Sequence, residues 1–333
     1  MELEELERHL EPFVRDRYDD PQAFVTGVHK MPGHAGFSYG FTAESRGSSE
    51  SWFLRLPPPG VNWRGTADVL RQVAVLDALE GTDVPHCRVK WSGDDLEWFG
   101  RPYFAVPALT GDVVRLQSGG WATRLASAQR TDMAEQAMIA LASIHRVDPS
   151  AAAYLGAPIP FAEDVTRWDR FYERAADPER LALVPELREC LLSTLPADAP
   201  VGIFHGDFQW SNLFYSFDCE LLAVIDWELT GIGSTLNDVG WIATFNDAKA
   251  WSDSSLVGNG MPDAGELVSM YERAWGAELP NLAWYRALAA YKFAIITGFN
   301  LSLHRRGKRV DPQWEQTKNS MATLTERALE LLR

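Results

Sequence analysis

One stretch constrains this chain more than any other: Val201 to Glu228, VGIFHGDFQWSNLFYSFDCELLAVIDWE. Ile203 and Phe204 lead into His205-Gly206-Asp207, and Asn212 follows five positions after Asp207. A second apolar run, Leu221 to Ile225, delivers Asp226-Trp227-Glu228. Short apolar runs of this kind read as buried strands. Polar groups set at the ends of such strands are held firmly while their tips stay reachable, as a catalytic site requires.

The pattern HxDxxxxN, followed by a strand ending in Asp, resembles the catalytic core of the aminoglycoside phosphotransferase and choline kinase family, small-molecule relatives of the protein kinases. The matched residues are His205, Asp207, Asn212 and Asp226. The resemblance implies an α+β, two-lobed, protein-kinase-like fold. Its N-terminal lobe would be an antiparallel sheet with a helix, and its C-terminal lobe mostly helical. It also implies transfer of the γ-phosphate of ATP or GTP to a hydroxyl of a small molecule. Phosphoryl transfer asks a protein mainly to position reactants and to offset charge on phosphate oxygens. Magnesium does much of that and prefers hard oxygen ligands. By the resemblance, Asn212 and Asp226 hold the metal. Asp207 accepts or orients the proton of the attacking hydroxyl, and His205 holds the catalytic loop.

Upstream, Leu3, Leu6 and Leu10 recur at helical spacing, so residues 2–17 read as an amphipathic helix ended by Asp20-Pro21. Phe24 to Val28 and the glycine-containing stretch MPGHAGFSYGFTAE read as a hairpin, with Trp52 to Leu56 as a third strand. Gly33, Gly36 and Gly40 free that turn to approach a ligand with its backbone. In the resembling family the hairpin lies over the nucleotide phosphates, which implicates Gly36 and Ser38. Arg55 stands on the third strand, where kinase-like folds place a Lys that pairs with phosphates. Arg offers a permanent charge and a bidentate fork. The segment Leu54-Arg55-Leu56-Pro57-Pro58-Pro59-Gly60 looks like the branch related to phosphotransferase domains fused to acyl-CoA dehydrogenases.

Residues 63–80 read as a helix with Val69, Val73, Leu76 and Leu79 at core spacing. Family members carry an Arg-Glu pair there, the Glu bridging to the strand cation; this chain has Arg71-Gln72. In the Glu place, Gln72 would orient Arg55 by one hydrogen bond without neutralising it. Cys87 to Trp91 and Trp98 to Leu109 read as two further strands around a turn at Gly93-Asp94-Asp95. The lobe boundary is expected near Ala108 to Gly111, giving a nucleotide-binding lobe over 1–108 and a catalytic and substrate-binding lobe over 109–333.

In the second half, Met133, Ala137, Ala140, Leu141 and Ile144 form an apolar stripe that ends at His145, read as a structural residue at a helix end. Trp168, Asp169, Phe171 and Tyr172 fall where substrate-binding helices of the family lie, although aromatics at such spacing also build cores. Asp238 matches a family Asp that steadies the catalytic loop, and a helix-capping role suits it equally. Three helices are expected over 266–275, 282–305 and 312–332. The catalytic loop, with Gln209, Trp210 and Ser211, lacks the cation that some relatives carry. Glu228 would reach a second metal through water or face solvent.

The net charge of −15, from 31 Lys plus Arg against 46 Asp plus Glu, argues against nonspecific nucleic-acid binding, which depends on neutralising phosphates. Three scattered cysteines form neither a disulfide framework nor a zinc motif. The acidic N-terminus lacks the pattern of a signal peptide, and no long apolar run suggests a membrane span. The expectation is a cytoplasmic enzyme. Two rivals remain open at this level. One is a nucleotide-binding kinase-like module without turnover. The other is a metal-dependent hydrolase using His205, Asp207 and Asp226.

Overall fold

Leu6, Leu10, Phe13 and Val14 are fully buried along one side of α1 (Leu3–Arg17), which explains why the leucine spacing produces a helix that docks. Their partners are Tyr39, Phe41, Trp52, Leu54 and Tyr103 on the inner face of a five-stranded sheet. Residues 2–31, 37–115, 120–252 and 260–333 are described by this computed structural model. The sheet contains β1 (Phe24–Lys30), β2 (Ser38–Ser45), β3 (Ser48–Arg55), β4 (Trp91–Gly93) and β5 (Tyr103–Pro107), in the order β1-β2-β3-β5-β4. Every neighbouring pair is antiparallel. The β2–β3 register sets Ser38 opposite Arg55.

The helix expected over 63–80 is shorter. A 3-10 turn at Gly65–Ala67 precedes α2 (Val69–Ala78), whose start is fixed by the Asp68 carboxylate accepting the Leu70 N–H at 3.0 Å. The strand expected from Cys87 begins only at Trp91, while Cys87 and Val89 pack against the main core. The buried face of α2, with Val69, Val75 and Leu76, belongs to the larger core that runs through the C-terminal part.

Beyond β6 (Asp112–Val113) come α3 (Ser127–Ile144), α4 (Phe161–Thr166), α5 (Asp169–Tyr172) and α6 (Val184–Ser193). Next are β7 (Val201–Phe204), β8 (Leu213–Tyr215), β9 (Leu221–Val224) and β10 (Gly231–Ser234). They form an antiparallel β7–β10 pair and a small β6-β8-β9 sheet. The chain then runs through α7 (Leu236–Phe245), α8 (Ala264–Trp275), α9 (Leu282–Arg305), α10 (Gln313–Thr317) and α11 (Ser320–Leu332). Helix α9 is buried nearly all round, through residues such as Trp284, Ala287, Tyr291 and Ile295, as an axial helix must be. The last expected helix is in fact two. The break falls where Ser320 is buried, its hydroxyl accepting the Ser252 N–H at 3.1 Å. Phe171 packs edge-on against Phe299 of α9, so the aromatic cluster after residue 167 serves the packing of α5. No described helix is long and apolar enough to cross a membrane.

Candidate active site

The loop between β7 and β8 carries His205-Gly206-Asp207, and its shape is dictated by what presses on it. Gly206 has φ +87°, and a Cβ there would collide with the carbonyl oxygen of Leu229. Only glycine meets both conditions. From α7, the buried Asp238 carboxylate accepts the His205 N–H at 2.6 Å and the Gly206 N–H at 2.8 Å. His145 lies 3.2 Å from the same carboxylate and 2.7 Å from the Tyr271 hydroxyl, wholly inside the protein. Asp238 is therefore not a helix cap: it sits in the first turn of α7 and clamps the loop backbone.

His205 faces inward as well. Its Nε2 lies 2.9 Å from the Ile225 carbonyl oxygen, and its Nδ1 accepts the Asp207 N–H at 3.2 Å. Burial, the largest influence, lowers its pKa and keeps the ring neutral. With both nitrogens engaged, the ring ties the loop to the end of β9, one residue before Asp226. Asn212 completes the knot. Its Nδ2 donates to the Asp207 carbonyl at 2.8 Å and to Asp207 Oδ2 at 2.9 Å, while its own backbone carbonyl accepts the Ile225 N–H.

Asp207 itself is only half-buried. Burial pushes its carboxyl up to about 7, against donors from Trp241, Gln209 and Asn212 that favour the ionised form. The Trp241 indole N–H donates to Oδ1 at 2.8 Å. The Gln209 amide straddles both oxygens at 3.4 and 3.3 Å.

Asp226 adopts a left-handed conformation, φ +63°, which Asp tolerates better than most residues. Arg55 Nη2 lies 3.9 Å from Asp226 Oδ1 and 2.6 Å from Glu228 Oε2, while Arg55 Nη1 donates to the Ser38 hydroxyl at 2.8 Å. This corrects two expectations. Gln72 does not orient Arg55: it is buried in α2, and the guanidinium donates instead to Ser38 and Glu228. Glu228 does not simply face solvent; it supplies the carboxylate that pairs with the strand cation. Burial and the neighbouring Asp226 raise the Glu228 pKa, and Arg55 opposes them. Beside this pair lies a cavity of about 290 Å³ walled by Phe37, Arg55, Pro57, Thr66, Glu228 and Arg309. Gly36 lies outside the described residues.

The donor set suits magnesium. Both N–H groups of the Asn212 amide are spent on Asp207, so its side-chain oxygen is the atom of that amide that could serve as a ligand. The Asp226 carboxylate remains 40% exposed. One amide oxygen and one carboxylate fit an ion that keeps waters and takes its other ligands from phosphates. Among the described residues no group of three or more His, Cys, Asp or Glu could hold a metal, so an all-protein cage of the zinc-hydrolase kind is not formed there.

One residue of the site carries little sequence signal, Trp241; Glu228 is marked by its place two residues after Asp226, although its pairing with Arg55 is not. The one available cue for Trp241 is its place three residues after Asp238, on the same side of α7.

Comparison with known proteins agrees with this architecture. The chain is 26% identical over 299 residues to acyl-CoA dehydrogenase family member 11 of Homo sapiens, covering 85% of this chain and 37% of that protein. It thus spans well under half the length of that curated relative. A Ralstonia eutropha protein assigned as an aminoglycoside phosphotransferase superposes with TM-score 0.78 at 22% identity, covering 98% of this chain and 97% of that one. Aminoglycoside phosphotransferase APH(4)-Ia, in ternary complex with AMP-PNP and hygromycin B, superposes with TM-score 0.61 at 13% identity, covering 97% of each chain. The model of the phosphotransferase enzyme family matches residues 36–288. With the two-lobed kinase-like fold and a catalytic loop held as described, the chain belongs to the phosphotransferase enzyme family.

Proposed function

We propose that the protein transfers the γ-phosphate of ATP or GTP to a hydroxyl of a small molecule, with residues 1–108 as the nucleotide-binding lobe and 109–333 as the catalytic lobe. The acceptor classes in view are an aminoglycoside-like compound, an amino alcohol or a hydroxyacyl compound. The observation that carries the reading is that Asn212 is hydrogen-bonded to Asp207, that Asp226 lies near enough for its charge to act on Asp207, and that Arg55 lies 3.9 Å from Asp226.

Each residue then has a part. Asp207 takes or orients the acceptor proton. Arg55, steadied by Ser38 and Glu228, meets phosphate oxygens and stands in for the cation the loop lacks. His205 and Asp238 hold the loop and touch neither reactant. Magnesium, when bound by Asn212 and Asp226, supplies charge neutralisation on the phosphates. The inward, doubly bonded His205 counts against a hydrolase that would use it as a metal ligand.

A nucleotide-consumption screen with magnesium, run against aminoglycosides, choline-like amines, sugars and hydroxy acids, tests the reading. Turnover with one class and loss of about 10²- to 10⁴-fold in Asp207→Ala, with nucleotide still bound, would support it. Full turnover in that variant would refute the base assignment. Nucleotide affinity unchanged by magnesium in both the native protein and Asp226→Ala would remove the metal site. Phosphatase turnover without nucleotide would replace the reading by a hydrolase.

A further inference from the structure

Helix α7 grips the catalytic loop twice from one side. Asp238 takes two backbone N–H groups of the loop, and Trp241, three residues on, donates its indole N–H to the Asp207 carboxylate at 2.8 Å. Residues three apart face the same way on a helix, so backbone and side chain are fixed by one rigid element. Trp241 is itself pinned. It is 8% exposed, stacks on Phe293 of α9 with centroids 3.9 Å apart and planes at 20°, and meets Phe245 edge-on at 6.0 Å.

A carboxylate offers about four acceptor directions on its two oxygens. At Asp207 the two short bonds come from rigid donors, one to each oxygen: Trp241 to Oδ1 at 2.8 Å and Asn212 to Oδ2 at 2.9 Å. The remaining contacts are the long ones from Gln209, at 3.3 and 3.4 Å. We propose that Trp241 is a positioning residue for the base. Its indole N–H and Asn212 lock the plane of the Asp207 carboxylate, so that the acceptor hydroxyl enters on the side where Gln209 makes only long contacts. The indole is a donor and never an acceptor, so it cannot take the acceptor's proton. The inference rests on the reading of Asp207 as the base, and it assigns the direction from which the acceptor approaches.

The test uses the full chain and two readouts. In magnesium-ATP turnover with water as acceptor, Trp241→Phe keeps a ring to stack on Phe293 and removes the donor. The expected result is a fall in kcat of about ten- to a hundredfold, the scale set by a misplaced reacting group, with KM for magnesium-ATP within about twofold. Trp241→His, which restores a ring N–H, should recover part of the loss. Independently of turnover, the Trp241 indole signal, identified in ¹H–¹⁵N spectra by its loss in Trp241→Phe, should exchange with solvent at least about tenfold faster in Asp207→Ala, which removes its acceptor. Unchanged kcat in a folded Trp241→Phe protein, or an indole signal unmoved by Asp207→Ala, overturns the proposal. Full turnover in Asp207→Ala with a moved indole signal would instead sink the base assignment and leave the hydrogen bond standing.

Discussion

Arg55 and Glu228 lie 173 positions apart in sequence and 2.6 Å apart in space. Arg55 ends β3, and Glu228 follows the left-handed Asp226 by two residues, so the pair ties the five-stranded sheet to the turn after β9. Among the described residues the hydrogen bonds of Arg55 go to Ser38 and Glu228, and none goes to α2, where Gln72 is buried. Glu228→Gln should therefore release Arg55 from its set position beside Asp226. Titration calorimetry is expected to show magnesium-ATP binding weakened about tenfold, the loss typical of one charge-assisted contact. Tighter binding would instead mark the pair as a barrier that nucleotide must break.

Gly206 supplies a second prediction. Its φ of +87° and the carbonyl of Leu229 leave no room for a Cβ. Gly206→Ala must shift the backbone that Asp238 clamps, at a cost of about 1–3 kcal/mol in strain alone. Chemical denaturation should register that loss, and turnover should fall with it. A protein of native stability and full turnover would show that the loop relaxes freely.

A third prediction concerns acid stability. Asp247, just beyond α7, accepts from Arg286 of α9 at 2.5 Å and from Arg327 of α11 at 2.9 Å, drawing three helices together. Burial pushes its carboxyl up, but Arg327, the Lys249 N–H and Arg286 together outweigh burial and hold it below the usual range. Because the folded pKa is lower than the unfolded value of about 4, the stabilisation is fully present above that value. It is lost as pH falls through the folded pKa. Asp247→Asn should lower Tm at pH 7 and flatten the fall of Tm below about pH 4; parallel Tm curves for the two proteins would contradict it.

Much of the site was legible in residue order. His205, Asp207, Asn212 and Asp226 lie within one stretch, and β7 and β9 fall on the two apolar runs that flank them, while β8 between them was not expected. The long helices followed from apolar spacing, because burial on one side of a helix leaves a period in the chain. The start of α2 and the break before Ser320 were not legible, since each is fixed by a single side-chain hydrogen bond. The short β4 depends on where the β5 edge is free to pair.

By itself, then, the sequence determined the local frame: two apolar strands, a glycine the loop cannot replace, and carboxylates at the strand ends. Adjacency in the chain guarantees nearness, so a short motif carries its own geometry. The partners of that frame come from afar. Glu228 reaches Arg55 at the end of β3, Asp238 holds the loop backbone, and Trp241 reaches the Asp207 carboxylate from the next turn of the same helix. Contacts between distant positions follow from how helices and sheet pack around a shared core, and only the tertiary structure decided which donor each carboxylate meets.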